Sequence, residues 1–179
     1  MTLEVIYGPM FSGKSNELIN RMQAAAAAGC AIVAAKPSIE VEPDYIVSLT
    51  GARWPATPVG NSADLLPLSA EVDVLGLDEA QFMDSALLAV VSRLRQRLRL
   101  VVAGLDLDFR GEQFGVMPHL IEQADNLMCL TASCAVCHRP AAHTQRLIGG
   151  LPAPREDPTI EVGGRELYEP RCALCFVVP

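Results

Sequence analysis

The sequence predicts an α/β protein in which residues 1–131 form a parallel sheet carrying a phosphate-binding loop, and residues 132–179 form a small zinc-binding unit. Three observations predict this. Gly8-Pro9-Met10-Phe11-Ser12-Gly13-Lys14-Ser15 fits the P-loop pattern G-x-x-x-x-G-K-[ST], between an apolar stretch and a helical one. Strand-like and helix-like segments then alternate, as parallel sheets with right-handed crossovers require. Finally, Cys134-x-x-Cys137 and Cys172-x-x-Cys175 are two knuckles that together supply four thiolates, enough to close one tetrahedral structural zinc site.

Leu3, Val5 and Ile6 give the strand before the loop, and Leu18, Ile19 and Met22 recur at helical spacing after it. A run of alanines extends that helix and Gly29 stops it. Residues 31–35 read as the next strand, ended by Lys36-Pro37. Residues 38–68, with prolines at 43, 55, 58 and 67, predict loop, turns and short strands. Residues 72–77 are a near-continuous apolar run, the pattern of a strand buried on both faces, and deliver Asp78 and Glu79 at its end. Leu87, Leu88, Val91, Leu94 and Leu98 stripe the following helix, and Arg93, Arg95, Arg97 and Arg99 read as its solvated face. Residues 100–105 form another buried strand leading into Asp106-Leu107-Asp108-Phe109-Arg110-Gly111; residues 117–124 read as helix and 127–130 as a last strand. Ligands of such sheets bind beyond the C-terminal strand ends, so the P-loop, Asp78-Glu79 and residues 106–110 are expected at one edge.

Half of the 179 residues are hydrophobic, enough for one proper core plus a small appendage. The net charge of −7 argues against a stable nucleic-acid partner, which would call for a basic face, and favours a small phosphate-bearing ligand. No signal segment opens the chain and no apolar run could span a bilayer, so a cytoplasmic protein without membrane contact is expected. In a reducing compartment six cysteines read as metal ligands or buried thiols rather than disulfides.

The chemistry of the P-loop follows from its backbone. Its glycines let consecutive N–H groups face one point, at which the next helix also aims its positive end. Lys14 would reach the outer phosphates and the Ser15 hydroxyl would bind Mg²⁺. Asp78 fits the carboxylate holding the water shell of Mg²⁺, and Glu79 the base that deprotonates an attacking hydroxyl. At the knuckles, His138 and His143 are alternative ligands, and a redox C-x-x-C is the competing reading, disfavoured by the second copy. Cys30 and Cys129 read as small buried hydrophobes.

These motifs, with Asp78-Glu79-Ala80-Gln81-Phe82, residues 104–115, Thr144-Gln145-Arg146, and Val162-Gly163-Gly164 with Tyr168, resemble a type II thymidine kinase over nearly the whole chain. The resemblance implies transfer of the ATP γ-phosphate to the 5′-hydroxyl of thymidine or deoxyuridine. It also implies a RecA-like P-loop domain, a zinc-anchored lasso closing over the nucleoside, and a homo-oligomer, usually a tetramer. Carried over, Glu79 matches the catalytic base, and residues 8–15 with Asp78, Glu79, Ala80 and Gln81 the ATP and Mg²⁺ site. Met10, Phe82, Leu105, Phe109, Phe114 and Tyr168 match the thymidine pocket, lasso backbone near Gly163 would read the base edge, and Arg110 lies where the family often has a basic residue.

The departures cluster after Lys36-Pro37, where the family usually has Asp-x-Arg-Tyr; no arginine occurs between Arg21 and Arg53. Asn16 replaces a threonine, and Glu161 stands at a normally apolar lasso position. A slow enzyme, or a catalytically weakened nucleotide-binding relative, is therefore the alternative reading, and a zinc-ribbon nucleic-acid binder the third. Arg53 is the nearby candidate to replace the missing arginine.

Overall fold

The structure is a computed structural model that describes residues 1–39 and 44–179. In chain order it contains β1 (Leu3–Tyr7), α1 (Lys14–Ala27), β2 (Ile32–Pro37), β3 (Tyr45–Val47), β4 (Arg53–Pro55), β5 (Thr57–Val59), α2 (Leu65–Leu68), β6 (Val74–Leu77), α3 (Leu87–Leu94), β7 (Arg99–Gly104), α4 (Met117–Gln123) and β8 (Asn126–Cys129). After these come β9 (Ala132–Ser133), β10 (Pro140–Ala141), β11 (His143–Ile148), β12 (Leu151–Pro152) and β13 (Tyr168–Arg171).

Six strands make one sheet in the order β5-β2-β6-β7-β1-β8, and every neighbouring pair is parallel. The apolar residues of β1, β6 and β7 are buried because helices cover both faces. On one face Leu18, Ile19 and Met22 of α1 pack against Ile6, Ala34, Val74, Val101 and Ala103. On the other, Leu87, Val91, Met117 and Leu120 of α3 and α4 pack against Val5, Leu75, Leu77, Leu100 and Val102. Each large side chain so buried stabilises the fold by about 1.5–3 kcal/mol. The close approach of α1 needs Gly76, where a Cβ would stand 2.4 Å from the Met22 sulfur.

The predicted parallel α/β sheet is therefore present, with local differences. The Lys36-Pro37 pair, read as the end of β2, lies inside it, since the strand must run on to pair with β5. β5 is a three-residue edge strand containing Pro58, a position at which proline costs no ladder bond on its outer side. β3 and β4 form an antiparallel hairpin within residues 38–68; Pro43 and its neighbours at 40–42 lie outside the described residues. α3 ends at Leu94, yet Leu98 stays fully buried in the turn that enters β7.

Most of the arginine face is not simply solvated. Arg95 binds Asp125 at 2.7 Å, Arg97 donates to the Ala70 carbonyl at 3.2 Å, and Arg99 binds Glu4 at 2.6 Å, so three of the four staple α3 and β7 to neighbouring segments.

Candidate active site

The order β6-β7-β1 places the C-terminal ends of three adjacent strands together, and each end bears one predicted constellation. β1 feeds the P-loop, β6 delivers Asp78-Glu79, and β7 leads into residues 105–110. The loop requires its first glycine: Gly8 has φ 142°, and a Cβ there would lie 2.2 Å from the Leu130 carbonyl oxygen. Gly13 caps α1 in the left-handed region, which leaves the helix N-terminus without a side-chain cap and open to an anion. The Ser12 hydroxyl is buried with no hydrogen-bond partner in the structure, an orphan that a phosphate oxygen would satisfy.

Lys14 is buried and donates to the Pro9 carbonyl at 2.8 Å. Burial pushes its pKa down, and the carboxylates of Glu79, Asp78 and Asp106 push it back up. Asp78 is pushed up to about 7 by burial and by the charge of Glu79, against a hydrogen bond from Ser15, the Lys14 charge and the Glu79 N–H. A carboxyl held this way regains its charge when a cation arrives beside it, so Ser15 and Asp78 fit the Mg²⁺ site assigned to them.

Glu79 sits at φ 52°, an unusual conformation for a side chain this long, imposed at the strand-to-turn corner. Its Oε2 accepts a 2.5 Å bond from Gln81 Nε2, while Gln81 Oε1 accepts from the Leu105 N–H at 2.9 Å. Gln81, predicted as a nucleotide contact, thus orients the predicted base and ties it to the residue that follows β7.

A cavity of about 440 Å³ opens beside these groups. Of the predicted residues, Met10, Phe11, Gly13, Lys14, Ser15, Glu79, Phe82, Leu105, Phe109, Phe114, Gly163 and Tyr168 line it. Gly8, Pro9, Ser12, Asp78, Ala80 and Gln81 are not in the lining. Phe82 and Phe114 meet edge to face at 5.6 Å, a stiff apolar wall suited to a flat ring.

Arg110 is not in the lining. It binds Asp108 at 3.0 Å, the Arg155 and Asp157 carbonyls at 2.8 and 2.6 Å, and the Thr159 hydroxyl at 2.8 Å. Arg53 lies with its guanidinium carbon 4.5 Å from the Tyr45 ring centroid, also off the lining.

Sequence reasoning gave no role to Arg146, which lines the cavity and is 2% exposed. It donates to the Tyr168 hydroxyl at 2.8 Å, to the Thr159 carbonyl at 3.0 Å and to the Pro158 carbonyl, and lies 4.2 Å over the Phe109 ring. The Tyr168 hydroxyl donates onward to the Glu161 carbonyl at 2.7 Å. Thr144, Leu107 and Asn16 also join the lining, and Thr144 accepts the Met10 N–H at 3.0 Å, tying the P-loop to β11. Thr144-Gln145-Arg146 was read only as part of the family resemblance, and an arginine inside a strand of mixed polarity is the further signal there.

The four sulfurs of Cys134, Cys137, Cys172 and Cys175 lie within 4.8 Å of one another. β9 pairs with β10 to shape the first knuckle, and the Ala135 N–H donates to the Pro170 carbonyl at 2.9 Å, bringing in β13 and the second. Burial opposes ionisation of Cys134, but N–H groups of Cys172, Cys137 and Val136 overcome it and bring the thiol down to about 6. Hydrogen bonds with Cys137 and Cys172 push Cys175 up to about 12. The Arg139 side-chain hydrogen bond holds Cys137 down as well, so two of these thiols ionise readily while Cys175 does not, a conflict that a dication resolves, and the donor set fits one zinc ion. His138 and His143 are not in the cluster; His143 stacks on Phe176 at 4.5 Å.

The thymidine kinase family model matches residues 1–176. A curated relative named thymidine kinase, from Coprothermobacter proteolyticus, is 47% identical over 180 aligned positions, covering 99% of this chain and 91% of the relative.

Proposed function

The chain belongs to the thymidine kinase family and is a nucleoside kinase, and from that premise we propose that it transfers the ATP γ-phosphate to the 5′-hydroxyl of thymidine or deoxyuridine. The observation that carries this reading is that Glu79 and Lys14 share one cavity with the aromatic wall of Phe82 and Phe114. The P-loop N–H groups, the Ser12 hydroxyl and Lys14 bind the triphosphate. Phe82, Leu105, Phe109 and Phe114 hold the base, and lasso backbone near Gly163 reads its edge. Glu79, aimed by Gln81, takes the 5′-hydroxyl proton as the oxygen bonds to the γ-phosphorus; the bond from that phosphorus to the β-phosphate oxygen breaks and its electron pair leaves with ADP. Mg²⁺, held by Ser15 with Asp78 behind it, would neutralise phosphate charge.

Zinc on the four cysteines would pin both ends of the lasso, so residues 1–131 act as the nucleotide-binding domain and 132–179 as the closing one. Among the described residues no helix is long and apolar enough to cross a membrane. A cytoplasmic homotetramer accords with the exposed apolar Leu127, Val136 and Leu151, which a subunit interface would cover. The test is direct: with γ-labelled ATP and thymidine, label should appear in thymidine monophosphate, and label released only as inorganic phosphate would refute the assignment.

A further inference from the structure

The turn that follows Gly163 and Gly164 carries a cation with no task in the scheme above. Arg165 is exposed, and its guanidinium carbon lies 4.6 Å from the centroid of the Phe11 ring. Phe11 is inside the P-loop, held at φ 65°, and lines the cavity. The neighbours of Arg165 on both sides, Gly164 and Glu166, line the same cavity. Glu166 does not pair with it: that carboxylate accepts the Gly164 N–H at 2.6 Å. Arg110 and Arg146 have their guanidinium groups occupied by lasso carbonyls. Lys14 donates to Pro9 and faces Glu79, Asp78 and Asp106, so acidic groups outnumber it at the point where phosphate charge must be held.

We propose that Arg165 is a catalytic residue of phosphoryl transfer, carried by the lasso from the Phe11 ring onto the oxygens of the transferring γ-phosphate. The proposal deepens the kinase reading and rests on it. An exposed cation–π contact is weaker than a charge-assisted hydrogen bond to a phosphate oxygen, so the exchange is favourable once ATP is bound. As the 5′-oxygen bonds to phosphorus, its proton passes to Glu79 and the bond to the departing ADP oxygen breaks. Arg165 exchanges no atom in this step and donates hydrogen bonds to the equatorial oxygens, where charge spreads. Nucleoside binding and catalysis are thereby coupled, because the segment that closes over the base also delivers the cation.

The test compares the full zinc-loaded chain with Arg165→Ala and Arg165→Lys. Arg165→Ala should lower kcat by about 10²–10³-fold with KM for ATP within about threefold, and Arg165→Lys should recover part of the loss. ADP alone should bind both variants as it binds the parent, while ADP with thymidine and aluminium fluoride, a mimic of the transferring phosphoryl group, should bind Arg165→Ala at least about fiftyfold more weakly. A purely structural latch on Phe11 would instead weaken ADP binding in step with turnover, and that result overturns the proposal, as does an Arg165→Ala enzyme as fast as its parent. A parent chain that makes no thymidine monophosphate overturns the kinase reading itself, an outcome distinct from an active parent with an equally active variant.

Discussion

Replacing Glu79 by glutamine removes a base while leaving its surroundings nearly intact, and the structure says what each part of the change should do. The amide oxygen of the substituted side chain can still accept the Gln81 Nε2 hydrogen bond, and Gln81 still holds the Leu105 N–H, so the side chain keeps its direction. What is lost is the carboxylate proposed to receive the 5′-hydroxyl proton. General base catalysis is worth about 10²–10⁴-fold, or about 2.7–5.5 kcal/mol of barrier, so kcat for thymidine should fall by at least about a hundredfold in Glu79→Gln. ADP affinity should stay within about threefold, because the P-loop backbone and Ser12 are untouched. The fold should not suffer. In the parent, burial and the Glu79 charge raise Asp78 from its ordinary 3.8 to about 7, so the folded chain holds a proton that the unfolded chain gives up, and stability falls as pH rises through that window. The variant removes the Glu79 contribution, and at neutral pH it should be at least as stable as the parent. Steady-state turnover, ADP titration calorimetry and a denaturant melt measure the three quantities. An unchanged kcat would remove Glu79 from the role of base, and a fall in kcat matched by an equal fall in ADP affinity would show a disrupted loop instead.

Freshly purified protein should contain one zinc per chain; Cys134→Ser should lose it, and the resulting lasso should bind thymidine far more weakly than it binds ATP, with metal analysis and two binding titrations as the check. Glu4→Gln should cost about 1–3 kcal/mol at neutral pH, because Glu4 receives Arg99 at 2.6 Å and Arg21 at 2.8 Å. Burial works to raise the Glu4 pKa, but the two arginines outweigh it and hold the carboxyl below 4.5, so this stability is present above that pH and lost as pH falls through the lower folded value. Equal urea midpoints for parent and variant at neutral pH would show that the pair contributes nothing. Arg53→Ala should turn over within about twofold of the parent, since that guanidinium lies on the Tyr45 ring and not at the cavity; a loss of about a hundredfold would return Arg53 to the site.

The parallel sheet was legible because β6 and most of β7 are buried on both faces and read as apolar runs, with Glu4 the one polar break in β1, and because a distinctive motif follows each of the three strands. The P-loop and the cysteine cluster were legible for another reason: both are local patterns in which spacing alone fixes the geometry. β5 falls where short strands were expected, but neither its bounds nor its place in the main sheet could be read, because its three residues include a proline and bury only Val59, leaving no periodicity to detect. Arg53 was given a place at the site from sequence proximity, although the β3–β4 hairpin turns it towards Tyr45. Arg146 and Arg165 went without roles for a different reason: each acts across a distance in sequence, one on carbonyls at 158 and 159 and the other on a ring at position 11. No periodicity within a strand or turn encodes such partners.

Arg146 also explains how a segment with almost no regular structure can line a precise pocket. Between β12 and β13 the chain has few ladder bonds, so its carbonyl groups need other donors. Arg110 takes the carbonyls of Arg155 and Asp157, and Arg146 takes those of Pro158 and Thr159. Among the described residues no carboxylate pairs with Arg146, and none is needed: four hydrogen bonds and the Phe109 face satisfy the buried cation, whereas a bound carboxylate would leave those carbonyls orphaned. The Tyr168 hydroxyl completes the arrangement, accepting from Arg146 and donating to Glu161, so the segment is fixed at 155, 157, 158, 159 and 161 by three side chains. Two of those side chains, Arg146 and Tyr168, sit opposite one another on the paired strands β11 and β13, and β13 runs directly into the second cysteine knuckle. Loss of zinc from the four cysteines would therefore reach the proposed nucleoside pocket through that strand pair: loosening β13 would displace Tyr168, take one acceptor from Arg146 and release the carbonyls that shape the wall, while the P-loop would keep its own support in β1 and α1.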